Sequence, residues 1–153
     1  MDRGGITVKK IGIALTAVVL AATTFGAHAS AASNSMTYTV KLTGTTESPM
    51  GPKHGSGTAK ITLNVAKGTV CYNITVMGIK LPAAADHIHA GKAGKSGPVV
   101  VPFATAPGKT GHTAGCVHSV RVSLIKGMMN HPTSYYVNVH TTDYPAGAVR
   151  GQL

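Results

Sequence analysis

The run Asp86-His87-Ile88-His89 sets two imidazoles one residue apart. On an extended chain alternate side chains share a face, so His87 and His89 point one way and Ile88 the other. Neutral imidazole is the commonest metal ligand in proteins, and two on one strand have the spacing used by zinc and copper sites built on sheets. His140, in VNVHT, can supply a third ligand from another alternating run, with His54, His112 and His118 as donors for a further position. The simpler role for the same histidines is structural: they hydrogen-bond loop carbonyls or tyrosine hydroxyls and brace a turn.

Gly91, Gly94 and Gly97 follow the histidines in GKAGKSG. They fit neither phosphate cradle, because a P-loop must end in Gly-Lys-Ser/Thr and open a helix, and a dinucleotide loop needs G-x-G-x-x-G. Here Pro98 and a β-branched run follow, so the glycines let the chain reverse, with Lys92 and Lys95 solvated at the tip. Catalysis by carboxylates or a serine triad finds little material. Beyond the first 31 residues the only acids are Glu47, Asp86 and Asp143, with no pair at helical spacing and no G-x-S-x-G elbow. The chain is therefore expected not to be an enzyme. Asp86 or Asp143 could orient an imidazole or pair with Arg150, and turn-forming roles for both are the simpler reading.

The start of the chain places these groups in a compartment. Arg3, Lys9 and Lys10 precede the uncharged apolar run from Ile11 to Ala22, and A-x-A sites end at Ala29 and Ala31. That is the pattern of a secretory signal peptide over 1–31, which makes membrane contact transient and the destination the periplasm, cell envelope or medium. Three of the 14 basic and one of the four acidic residues lie in this leader, leaving a formal charge of +8. Such a surface suits polyanions or an anionic envelope component, and a protein partner is the other expectation. The basic residues are scattered from Lys41 to Arg150 without aromatic interleaving, which argues against nucleic acid. Two cysteines, Cys71 and Cys116, in an oxidising compartment predict one disulfide.

The elements that must position these residues are strands. Apolar and polar residues alternate in MTYTVKL, TAKITLNVA, TVCYNITVM, VHSVRVSL and YYVNVHT, and PVVVPF and GAVRGQL add two shorter runs. One or two helical turns are expected in SLIKGMMN, weakened by Gly127. The segments 45–57, 91–97 and 104–115 are rich in turn formers and read as exposed loops. Seven or eight short strands in one domain predict an all-β fold, an antiparallel Greek-key-like sandwich or barrel with one short helix.

HIHAGKAGKSGPVVVPF and YYVNVHTTDYPAGAVRGQL, in this order and spacing, resemble the CHRD domain, a module repeated in chordin and found alone in exported bacterial proteins. The resemblance runs over 36–153, LTGTTESP is similar to the family's first strand and acidic turn, and Cys71 and Cys116 fit a secreted subgroup. It implies an immunoglobulin-like or superoxide-dismutase-like β-sandwich outside the cytoplasm. It brings little function of its own, and the leading expectation is a secreted non-enzymatic module that binds a protein or envelope partner through its loops. The HIH strand is also similar to the copper strand of copper/zinc superoxide dismutase. No matching zinc loop with its aspartate is present, which speaks against dismutase activity and leaves copper or zinc binding as the alternative function; no cofactor follows from the family itself.

Overall fold

The computed structural model describes residues 34–153, with Met1 and Gly4. The apolar run and cleavage points of the expected leader lie outside the described residues. Among the described residues there are eight strands, β1 (Ser35–Thr43), β2 (Ser56–Asn64), β3 (Thr69–Met77), β4 (Ala85–Ala90), β5 (Val99–Pro102), β6 (His112–Val117), β7 (Tyr135–His140) and β8 (Val149–Gln152), and one α-helix, α1 (Val122–Asn130). They form one antiparallel sheet in the order β5-β4-β7-β8-β1-β2-β3-β6.

The alternation read from sequence fixes which face is which. Val40 and Leu42 of β1, Ile61 and Leu63 of β2, and Val70, Tyr72, Ile74 and Val76 of β3 all turn inward. So do Ile88, Val101, Val137, Val139 and Val149 from the other strands, and Ile125 and Met128 of α1 close the core. Each such side chain contributes roughly 1.5–3 kcal/mol through burial. The sheet curls until its two edges approach. Tyr72 of β3 stacks on Phe103, just past β5, with ring centroids 4.1 Å apart. Thr105, beyond β5, hydrogen-bonds Thr113 of β6 at 3.0 Å. The fold is thus an antiparallel sheet nearly closed into a barrel, as the strand count and turn spacing predict.

Two local expectations are corrected. The alternation in VHSVRVSL does not form a strand: β6 stops at Val117, Ser119 takes a positive φ of 57°, and the chain enters α1 at Val122. Helix wins there because Ile125 and Met128 reach the core only at helical spacing. Gly127 faces the Tyr135 hydroxyl, which a Cβ there would approach to 2.8 Å. The end of the expected 104–115 loop is strand instead, because Thr113 and its neighbours complete the ladder with β3. In that ladder Cys71 faces Cys116, and the two form the disulfide.

Candidate metal centre

The site lies on the outer face of β4, β7 and β8. The register places His87 opposite Asn138 and His89 opposite Tyr136, with Ala85 opposite His140; on the other side Asn138 faces Arg150 and Tyr136 faces Gln152. Because Ile88, Val137 and Val139 take the core face, the pleat sends His87, His89, Tyr136, Asn138 and His140 outward together. This outer face is itself covered, by the 91–97 loop, the 44–48 turn and the segment after β7. Tyr136, Asn138 and Arg150 are buried in consequence.

One ring nitrogen from each of His87, His89 and His140 lies within 4.8 Å of the others. The His87 ring centroid is 5.3 Å from that of His89 and 4.9 Å from that of His140. Backbone carbonyls fix two of the three tautomers. His89 Nδ1 is 2.8 Å from the Gly97 carbonyl oxygen, and His140 Nδ1 is 2.9 Å from that of Pro145. A carbonyl only accepts, so each Nδ1 carries the proton and a neutral ring leaves its lone pair on Nε2. His89 Nε2 and His87 Nδ1 are buried with no hydrogen-bond partner among the described residues. Burial, with the neighbouring imidazoles His140 and His89, lowers the His87 pKa to about 4. Burial also lowers that of His140, more than its bond to Pro145 raises it. Both rings are neutral near pH 7, the state a metal ligand requires.

The other expected residues fall around this cluster. Asp86 shares the core face with Ile88, so it does not orient the imidazoles; both its oxygens are buried without partners, and desolvation pushes its pKa up to about 7. Asp143 makes a surface ion pair with Lys80 at 2.7 Å. Arg150 pairs with neither aspartate. Its guanidinium carbon lies 3.4 Å from the centroid of Tyr136, and its nitrogens donate to the carbonyls of Lys95 and Lys92 and to Gln152 Oε1. The glycine loop is thereby tied down, and it carries the Gly97 carbonyl that orients His89. Gly97 has no room for a side chain, because a Cβ would collide with the Ala90 carbonyl, whereas Gly94 is needed for its φ of 70°. Gly91 packs on the Tyr136 ring, where a Cβ would come within 2.9 Å. His54, His112 and His118 are not in the cluster. His112 stands on β6, which pairs with β3 at the far end of the strand order.

Two residues of the site escape a reading of motifs. Asn138 bridges the imidazoles, with Oδ1 at 3.0 Å from His140 Nε2. Glu47, in the turn after β1, is 7% exposed, and its Oε1 has no partner. Desolvation pushes the Glu47 carboxyl up to about 7, against the lowering influence of Arg150 and of a hydrogen bond from Asn138. The only hint in the sequence is that Asn138 alternates in phase with Tyr136 and His140.

The architecture agrees with a comparison against known families: the CHRD domain matches residues 38–153. No curated protein and no solved structure gives a match. With the family's HIH and RGQL segments meeting on one three-strand face, and the match spanning the barrel from β1 to its last residue, this chain belongs to the CHRD-domain family.

Proposed function

We propose that this CHRD domain is an extracytoplasmic metal-binding module, taking one zinc or copper ion through His87, His89 and His140. The observation that carries the reading is the locking of His89 and His140 by the Gly97 and Pro145 carbonyls, which leaves Nε2 of each ring with its lone pair, in a cluster whose ligand nitrogens lie within 4.8 Å of one another. An N–H bonded to a carbonyl behind the ring is how metal-ligating histidines are ordinarily oriented. Ligand atoms around a tetrahedral zinc stand roughly 3.3 Å apart at bond lengths of 2.0–2.1 Å. Nitrogens within 4.8 Å of one another need only small ring rotations to reach that spacing. The module binds without catalysing. Its three acids have other work, with Asp143 paired to Lys80, Asp86 on the core face and Glu47 turned to Asn138. The disulfide and the leader sequence support a location outside the cytoplasm.

The test is titration of the purified full chain with Zn2+ and Cu2+ against a competing chelator, beside the double variant His87→Ala/His89→Ala. The expected result is one ion per chain, lost in the variant. Uptake no greater than that of a histidine-poor control protein sinks the reading.

A second reading, capture of an anionic envelope component, draws on a cavity of about 580 Å³ between the 44–48 turn and the glycine loop. Lys41 and Arg150 line it, and Lys92 and Lys95 are exposed on the loop beside it. Binding of the protein to vesicles containing anionic lipid that weakens as salt rises supports this reading; equal binding to neutral vesicles removes it.

A further inference from the structure

Asn138 is a polar side chain only 2% exposed, yet it sits opposite His87 in the register, among the three imidazoles. Its Oδ1 lies 3.0 Å from His140 Nε2. The Asn138 side chain also acts on the buried Glu47 carboxyl, whose pKa it lowers. An asparagine amide has two unlike ends, a donating NH2 and an accepting oxygen. The oxygen is the end turned to the histidines, at His140 Nε2, so the NH2 end faces away from that ring.

That orientation creates a conflict in the metal-free cluster. His140 Nδ1 must donate to the Pro145 carbonyl, so a neutral His140 presents a lone pair at Nε2. The atom facing it at 3.0 Å is Asn138 Oδ1, which also presents a lone pair. Two acceptors at that distance in a buried setting repel each other, and a cation coordinated by both removes the conflict. Their separation is near the roughly 3.3 Å edge of a tetrahedral site.

We infer that Asn138 Oδ1 is the fourth ligand of the metal centre, with the oxygen of the amide, not its nitrogen, facing the ion. The inference rests on the metal reading above and deepens it. The resulting donor set is three imidazole nitrogens and one neutral amide oxygen. It carries no charge and no soft sulfur, so it suits a borderline divalent ion such as Zn2+, Co2+ or Cu2+ better than Cu+. Glu47, buried beside Asn138, stands outside the coordination sphere.

Co2+ is the probe, since its visible absorption reports coordination number. Full-chain wild type is expected to bind one Co2+ with the intense visible absorption of a tetrahedral site. Asn138→Ala should lower the affinity about 10- to 100-fold and weaken that absorption. Asn138→Asp, which keeps an oxygen at the same place, should hold the affinity within a few-fold of wild type. Circular dichroism checks that each variant is folded. Should Asn138→Ala fail to fold, the wild-type protein still decides: the Asn138 side-chain amide resonance must move outside the diamagnetic range when Co2+ is bound. Wild-type affinity and absorption in a folded Asn138→Ala, or an unshifted Asn138 amide, overturns the inference and leaves a three-histidine site standing. Wild-type protein that takes up neither Co2+ nor Zn2+ overturns the metal reading itself.

Discussion

Arg150 lies flat against Tyr136, its guanidinium carbon 3.4 Å from the ring centroid. Tyr136 stacks in turn on His89, the two rings 5° from parallel with centroids 4.8 Å apart. Arg150 thus supports the histidine cluster through Tyr136 while its nitrogens hold the glycine loop. Lysine cannot replace this arrangement, because an ammonium has no planar fork to stack and to reach three acceptors at once. Arg150→Lys is expected to cost about 2 kcal/mol in urea unfolding and to weaken zinc binding several-fold through the loosened Gly97 carbonyl. A variant as stable as wild type would show that the loop is held by other contacts.

The two glycines of that loop give a sharper comparison. Gly94 meets nothing within 4 Å of an added Cβ but has a φ of 70°, so Gly94→Ala carries only backbone strain, about 1 kcal/mol. Gly97→Ala forces apart the Gly97 backbone and the Ala90 carbonyl, and with them the hydrogen bond to His89. Zinc affinity should therefore fall in Gly97→Ala and stay near wild type in Gly94→Ala, read by chelator competition. Equal affinity in both would detach the His89 tautomer from metal binding.

Much of this was legible before any coordinates. TVCYNITVM alternates cleanly because one face of β3 meets the core, and Val70, Tyr72, Ile74 and Val76 are all buried on it. His87 and His89 share a face for the same reason, and His140 joins them because β7 is the neighbour of β4. What could not be read is the second burial. YYVNVH looks like a strand with one wet face, yet Tyr136 and Asn138 are covered by loops distant in sequence. Glu47 sits in a stretch rich in turn formers and is buried only because Gly147 leaves room for its carboxyl. The helix was partly hidden too, since Arg121 precedes it without a side-chain cap to mark its start.

The disulfide joins two positions directly opposite in the β3–β6 ladder, and β6 is the last strand of the sheet among the described residues. Closing 45 residues of chain should stabilise the fold by roughly 2–4 kcal/mol. The double variant Cys71→Ser/Cys116→Ser is expected to unfold at lower urea by that amount, with amide exchange in β6 rising more than in β2. The metal centre, built on β4, β7 and β8, should keep its zinc affinity. Loss of zinc binding in a folded double variant would tie the centre to the far edge of the sheet.

Glu47 makes stability depend on pH in a direction opposite to that of a salt-bridged carboxylate. Its pKa is about 7 in the fold against an ordinary 4.5, because desolvation outweighs the lowering influence of Arg150 and Asn138. Between those values the folded protein holds the Glu47 proton and the unfolded chain has released it. The folded state then binds more protons, so this group's contribution falls as pH rises from about 4.5 to 7 and is constant above. His87 acts the other way: its pKa falls from 6.5 to about 4, so its contribution grows as pH rises through that range. The net profile mixes the two, and a variant difference separates them. Glu47→Gln keeps the shape and removes the titration. In metal-free protein its stability relative to wild type should therefore increase from pH 4.5 to 7 and level off beyond. Urea unfolding at a series of pH values measures that difference, and a constant offset across the range would mean that Glu47 titrates alike in the folded and unfolded chain.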